Sequence, residues 1–330
     1  GWQLTVVITT IAAQQLHLAH SASGLHTIAA QTHTLVLTVV TAAALSWWPF
    51  LARRRFERDL LAWIGAALAA PLSFLPAFPA WRTVVGADHD GALALTFAML
   101  SGLGLVAARH RWEPKAPFRN LGVGVFGTAT LFFITLAIPL QLRGWQWTLG
   151  WTLEAFALMA LWRWRDQAGL KYLAMALFGA VGIRLLLNPL VLEDYLRGSW
   201  PILNQLTLTY LLPVVALIIS GAWLQQLERS RARPWEPWLS LPSLQMSTLT
   251  GILAILIGFA WSNLAVLDWF AVGETLTWTF EPLPARDLAF SICWALYAMI
   301  LLGIGMRRRI VPLRYLSLGL LIITIGKVFL

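Results

Sequence analysis

Trp145–Leu187 reads WQWTLGWTLEAFALMALWRWRDQAGLKYLAMALFGAVGIRLLL. Two apolar runs flank a short turn carrying Arg163, Arg165 and Lys171. About 20 apolar residues cross the ~30 Å hydrocarbon core of a bilayer. The stretch therefore reads as a membrane helical hairpin. Each run holds one ionisable residue at membrane depth, Glu154 in the first and Arg184 in the second.

The composition of the whole chain agrees. Of its 330 residues 58% are hydrophobic and 12% are charged. A soluble domain carries about 25% charged residues. With half that share there is too little polar surface to cover a water-soluble globule, and the bilayer is the natural solvent. The net charge of +9 sits in short clusters between apolar runs. That placement is an orientation signal and not a phosphate-binding groove, so membrane lipids and other membrane subunits are the expected partners and nucleic acid is not. The 19 tryptophans suit interfacial belts, where the amphipathic indole is stable. A single cysteine, Cys293, rules out an internal disulfide and a Cys-rich metal site. No Gly-rich phosphate loop, nucleophile motif or HExxH motif is present, and no cofactor is expected.

Outward from the hairpin, eleven apolar runs are expected to form helices. They lie near 2–20, 33–51, 59–79, 91–108, 119–141, 145–163, 170–188, 202–225, 245–264, 286–306 and 312–330. The even-numbered connections hold Arg53, Arg54, Arg55 and Arg58; Arg109, Arg111, Lys115 and Arg119; Arg163, Arg165 and Lys171; Arg229, Arg231 and Arg233; and Arg307, Arg308, Arg309 and Arg314. The odd-numbered ones hold only Arg82, Arg143, Arg197 and Arg286. The positive-inside rule makes the even connections cytoplasmic. The chain thus reads as an all-α, polytopic bundle of antiparallel hairpins in a bacterial inner membrane, N-terminus inside and C-terminus outside. The outer segment Leu267–Asp287, with Trp and Phe among acids, reads as a re-entrant or interfacial piece.

One internal repeat is visible. A shift of 143 residues lays 151–187 on 294–330 without gaps. Trp151 meets Trp294, Arg165 meets Arg308, Lys171 meets Arg314, Tyr172 meets Tyr315 and Arg184 meets Lys327. Glu154 meets Tyr297, so the acid is not duplicated. Both copies run in the same direction, which makes this a parallel repeat within one transmembrane domain over 1–330. The chain starts at Gly1-Trp2 and stops in mid-pattern at Lys327-Val328-Phe329-Leu330. That predicts a fragment of a longer membrane protein.

The blocks LAIPLQLRGWQWTLGWTLEAFALMALW (Leu136–Trp162), RLLLNP (Arg184–Pro189), NQLTLTYLLP (Asn204–Pro213), SICWALYAMILLGIG (Ser291–Gly305) and LRYLSLGLLIITIGKVFL (Leu313–Leu330) carry a resemblance. From about Leu121 to the end, the chain resembles a family of bacterial multi-pass membrane proteins catalogued as domain of unknown function 2339. The resemblance implies further helices upstream and a continuation beyond Leu330. It implies architecture and no established activity. The family's Arg-His-like polar patch near the ninth run is replaced here by Trp261-Ser262-Asn263.

Glu154 lies nine residues before Arg163, about 14 Å along the helix, near mid-bilayer. Arg184 lies thirteen residues after Lys171, about 20 Å up the returning helix. The depths differ by about 6 Å, within reach of an extended guanidinium. A bare charge at that depth costs several kcal/mol or so, so these groups are candidates for a proton relay or an anionic-substrate site, with Lys327 as a third member. The competing reading is a buried ion pair that fixes helix register, or a basic side chain that snorkels to the headgroups. His17 and His20 share a helix face and are weak metal-ligand candidates beside His26 and His33. The outer acids Asp88, Asp90, Glu193 and Asp194 are the candidates for a membrane transferase. Three functions are open at this point. They are transport or translocation of a small or lipid-linked anion through Glu154, Arg184 and Lys327, an outer-face transferase, and a structural or assembly subunit without chemistry of its own. The first is favoured, which makes an enzyme the less expected outcome.

Overall fold

In apolar solvent every backbone polar group must be satisfied within the chain, so spanning segments fold as helices or closed barrels. The computed structural model describes residues 26–51, 60–111, 119–187, 195, 197, 204–231, 245–271, 273, 276 and 283–329. Among these, ten α-helices and one 3-10 turn occur, and no strand. The helices are α1 (His26–Leu51), α2 (Leu60–Val84), α3 (Asp90–Arg111), α4 (Arg119–Gln141), α5 (Gln146–Arg165), α6 (Ala168–Leu187), α7 (Gln205–Arg231), α8 (Met246–Phe270), α9 (Pro284–Arg307) and α10 (Val311–Phe329). Each matches one expected run. The run at 2–20, with His17 and His20, lies outside the described residues, as do Glu193 and Asp194.

Nine of the ten helices are long and apolar enough to cross a membrane. The exception is α5, whose sequence mixes Glu154, threonines and tryptophans into the apolar run. It packs against both α6 and α7, so neighbours cover part of its more polar surface.

Some helix ends differ from the sequence expectation. The expected run begins at 33, yet α1 starts at His26 and takes in both His26 and His33. No proline or glycine interrupts 26–33, and the Thr32 hydroxyl donates to the Ile28 carbonyl at 2.8 Å. Likewise α8 continues through Leu267–Phe270, where an outer segment was expected. Helix α2 is continuous through Pro71, Pro76 and Pro79.

The threonines show how polar side chains are handled. Those at 38, 96, 130, 135, 152, 209 and 324 each donate to the carbonyl four residues earlier. The hydroxyl is thereby satisfied within its own helix and demands nothing from the solvent.

The chain forms two compact units, Gly1–Arg143 and Gly144–Leu330. In the first, α1 packs along α2 and α3 along α4. The core is aromatic and alanine-rich. Phe74, Phe97 and Phe133 meet in a triangle with centroids 5.5–5.7 Å apart. Phe50, Trp63 and Phe126 form a second cluster, with the Phe50 and Trp63 rings 4.9 Å apart and edge-on. Small residues let α3 and α4 approach closely. A Cβ on Gly104 would lie 2.6 Å from the Phe126 ring. On Gly91 it would meet the Gln141 side chain and, at 3.1 Å, the Ala137 carbonyl oxygen.

In the second unit, α5–α6 and α9–α10 are hairpins, α7 pairs with α8, and α8 also touches α6 and α9. The two short turns share a feature. Asp166 (φ 51°) and Arg309 (φ 56°) are the non-glycine residues with left-handed backbone among the described residues, and they too are 143 positions apart.

Gly104→Ala is expected to lower stability by about 1–3 kcal/mol through overpacking against Phe126. Gly124→Ala on α4, where a Cβ meets nothing within 4 Å, serves as the control. Thermal unfolding of both in detergent, followed by circular dichroism, tests this; equal melting temperatures would remove the close-packing argument.

Candidate functional site

The second unit has a basic end, marked by the turns after α5 and α9, and an opposite end where α5, α7 and α9 begin. Arg184 stands in the last turn of α6, where a cation complements the helix dipole. Its guanidinium does not stay in the α6 groove. It crosses to the start of α5, donating to the Gly144 carbonyl at 2.9 Å and to Thr148 Oγ1 at 3.3 Å. The same group lies over the Trp147 ring, 4.8 Å from its centroid. Carbonyl, hydroxyl and π-face together replace water around the charge.

Lys327 occupies the last turn of α10. Its ammonium points to the Asp287 carbonyl, 3.5 Å away. It lies over two rings, Phe290 and Trp294, each 5.1 Å to the centroid. The shift of 143 residues that relates Arg184 to Lys327 also relates Gly144 to Asp287, and Trp147 to Phe290. Both cations therefore take the same seat, a backbone carbonyl and an aromatic face at the start of the preceding helix. They differ in exposure, since Lys327 is open to the surroundings and Arg184 is partly covered.

Glu154 lies on α5 six residues beyond Thr148, about 9 Å further along the axis, and is half-buried. It shares a helix face with Trp147 and Trp151. The Trp151 indole N–H is buried without a hydrogen-bond partner among the described residues, which leaves a donor one turn from the carboxyl. The Arg184 bonds to Thr148 and Gly144 lie on the far side of that turn.

The basic end is closed by a different cation arrangement. Trp162 is buried, with the Lys171 ammonium 5.6 Å and the Arg231 guanidinium 5.5 Å from its ring centroid. Arg231, at the end of α7, donates to the Trp162 and Arg163 carbonyls at 2.8 and 2.9 Å. Those carbonyls belong to the last turn of α5, where the Trp162 carbonyl also accepts the Asp166 backbone N–H at 3.0 Å. Arg231 thus caps α5 and ties α7 to it.

The sequence reading missed Asp268. It is 1% exposed in the last turn of α8, where the helix dipole disfavours an anion. Three donor contacts offset this. Arg197 Nε reaches Oδ1 at 3.0 Å, and Tyr195 Oη and Asn204 Nδ2 reach Oδ2 at 3.1 and 2.7 Å. The same guanidinium donates to the Asp268 and Gly273 carbonyls at 2.7 and 2.9 Å, covering acceptors at the helix end. Asn204 caps α7 by accepting from the Thr207 N–H at 3.0 Å. The result is a clasp between the beginning of α7 and the end of α8. Its sequence signal was a set of polar residues in otherwise apolar outer stretches, scattered over too many positions to be read as one cluster.

At Trp261-Ser262-Asn263 the polar groups are turned inward. Trp261 Nε1 donates to Thr207 Oγ1 at 3.2 Å. Asn263 accepts from Trp294 Nε1 at 2.8 Å and donates to the Phe259 carbonyl at 2.7 Å.

In the first unit the outer acids are engaged by arginines. Asp90 is buried and bonded to Arg82, with Nε to Oδ2 at 2.7 Å. Asp88 pairs with Arg143 at 3.1 Å, and both side chains are more than 80% exposed. Gln141 also donates to the Asp88 carbonyl at 3.0 Å, so the end of α4 clamps the turn before α3. Among the described residues, no three His, Cys, Asp or Glu side chains gather as metal ligands.

Asp268→Ala is expected to cost about 3 kcal/mol, because it strands the partly buried Arg197 guanidinium and empties a buried, hydrogen-bonded site. Asp88→Ala, which opens an exposed pair, leaves stability within error of the parent. Denaturant unfolding in detergent distinguishes the two, and a neutral Asp268→Ala would show that the clasp carries no stability.

No curated protein and no solved structure matches the chain. Residues 185–330 match the family model described as "Predicted membrane protein (DUF2339)". The match covers α7 to α10 and both the clasp and the Lys327 seat, while Gly144, Trp147, Glu154 and Arg184 precede it. Over that stretch the multi-pass membrane chain is similar to the proteins grouped as domain of unknown function 2339.

Proposed function

We propose that this protein transports or translocates an anionic, lipid-linked substrate, with Arg184 and Lys327 as the cations that meet the anion. The observation that carries the reading is the duplicated seat. Two cations at positions 143 residues apart each rest on a helix-start carbonyl and an aromatic ring. We take the two hairpins as halves of a parallel repeat. A charge held only for snorkelling does not need a matched aromatic platform. A charge kept at a fixed position to receive an anion does, because a preorganised group loses less entropy on binding.

Loop charge makes the seats' end the outer one in a bacterial inner membrane. Lipid phosphates of the outer leaflet are then the nearest anions. Glu154, mid-way along α5 and beside the Trp151 N–H, is the group that takes up and releases a proton as the anion moves. In this reading 1–330 acts as one transmembrane domain. The Asp88 and Asp90 carboxylates are already held by Arg143 and Arg82, which favours the cation-based reading over a transferase built on those acids.

The test uses vesicles holding the whole chain and a fluorescent phosphatidylglycerol, with the exposed label bleached from outside. Protein-dependent loss of the protected fraction is expected. Arg184→Gln and Lys327→Gln each slow it by about tenfold, as expected for ~1.4 kcal/mol of lost attraction. Arg184→Lys restores most of the rate because the charge is kept. Glu154→Gln removes the dependence on pH. Normal rates in both Gln variants, with helical content unchanged, rule the reading out.

A further inference from the structure

A groove of about 360 Å³ runs between α8 and α9, lined by Trp261, Ala265, Trp269 and Phe270 on one side and by Ala289 and Cys293 on the other. Its polar groups are already used. The Ser262 hydroxyl donates to the Phe259 carbonyl at 2.7 Å, and the Cys293 thiol donates to the Ser262 carbonyl at 3.7 Å. The Trp261 N–H is given to Thr207. The groove therefore offers a ligand almost no hydrogen bond, and what it holds is hydrocarbon. A polar occupant would lose its hydration without return.

The charge lies next to it. Phe290 and Trp294, the rings beneath the Lys327 ammonium, follow Ala289 and Cys293 directly in α9. Among the described residues no carboxylate forms an ion pair with Lys327, and Lys327 is exposed. A cation flanking an apolar slot is complementary to an anionic headgroup on a hydrocarbon tail.

We propose that the groove seats an acyl chain of an anionic phospholipid, with Lys327 meeting its phosphate. The proposal rests on the lipid-linked reading above and names the substrate class. The occupant is a phospholipid and not a second copy of the chain, because an exposed lysine beside the slot suits a phosphate and would repel its own counterpart across a two-fold interface.

Cys293, the single cysteine, reports on occupancy. The full chain in detergent is titrated with phosphatidylglycerol or with phosphatidylcholine of identical chains, and the rate of Cys293 alkylation by a maleimide is followed. Phosphatidylglycerol is expected to slow alkylation at lower concentration than phosphatidylcholine. Lys327→Gln shifts the phosphatidylglycerol midpoint about fivefold toward that of phosphatidylcholine and leaves the latter in place. In native mass spectrometry, Ala289→Trp fills the groove and loses retained phosphatidylglycerol. Equal midpoints in the parent, no slowing by either lipid, or undiminished retention in Ala289→Trp would each overturn the proposal. So would Cys293 protected without lipid in a chain that runs as a dimer. Protection without translocation keeps the groove and removes the transport reading, and translocation without protection does the reverse.

Discussion

The structure depends on the cost of an unsatisfied hydrogen-bonding group in hydrocarbon, roughly 4–8 kcal/mol for transfer into an alkane-like medium. Helices settle the backbone. The threonines settle their own hydroxyls four residues back. What remains is a small set of charged groups, and each is placed where backbone carbonyls, aromatic faces or counter-charges take over from water. Arg231 reaches carbonyls in the last turn of α5, Arg197 the Asp268 carbonyl at the end of α8, and Arg184 the carbonyl before α5. The same physical device is used at both ends of the second unit. At the basic end it ties α7 to α5, and at the other it ties α6 to α5 and α7 to α8.

Aromatic residues extend this device. Trp162 lies between two cations and is itself buried. Trp147 supports Arg184, and Phe290 with Trp294 supports Lys327. A ring face attracts a cation and still packs against hydrocarbon, so it is compatible with both surroundings. The abundance of tryptophan, first read as an interfacial belt, is in part a set of platforms for basic side chains.

Ten helices were legible because apolar run length and loop charge are signals that each segment carries by itself. Helix ends were less so. Nothing in residues 26–32 or 265–270 opposes either a helix or a loop, and neighbouring packing decides. Arg184 and Lys327 were legible as charges inside apolar runs, yet their partners were not. The depth argument brought Arg184 within reach of Glu154. The structure adds the Thr148 hydroxyl and the Gly144 carbonyl as acceptors for Arg184. A backbone carbonyl is present at every position and so leaves no mark in a sequence. Asp268 was hidden for another reason. Its partners come from positions 195, 197 and 204, more than sixty residues earlier.

The clasp at Asp268 has a mechanical side. It joins α7 and α8 at one end by a buried ion pair and by carbonyl bonds from one guanidinium. Parting the helices there would expose that charge, whereas among the described residues no ion pair joins them at the other end. The two helices therefore behave as tweezers with their pivot at Asp268. Any opening between them widens toward the basic end, and the wall of the α8–α9 groove nearest the pivot stays fixed while it does so.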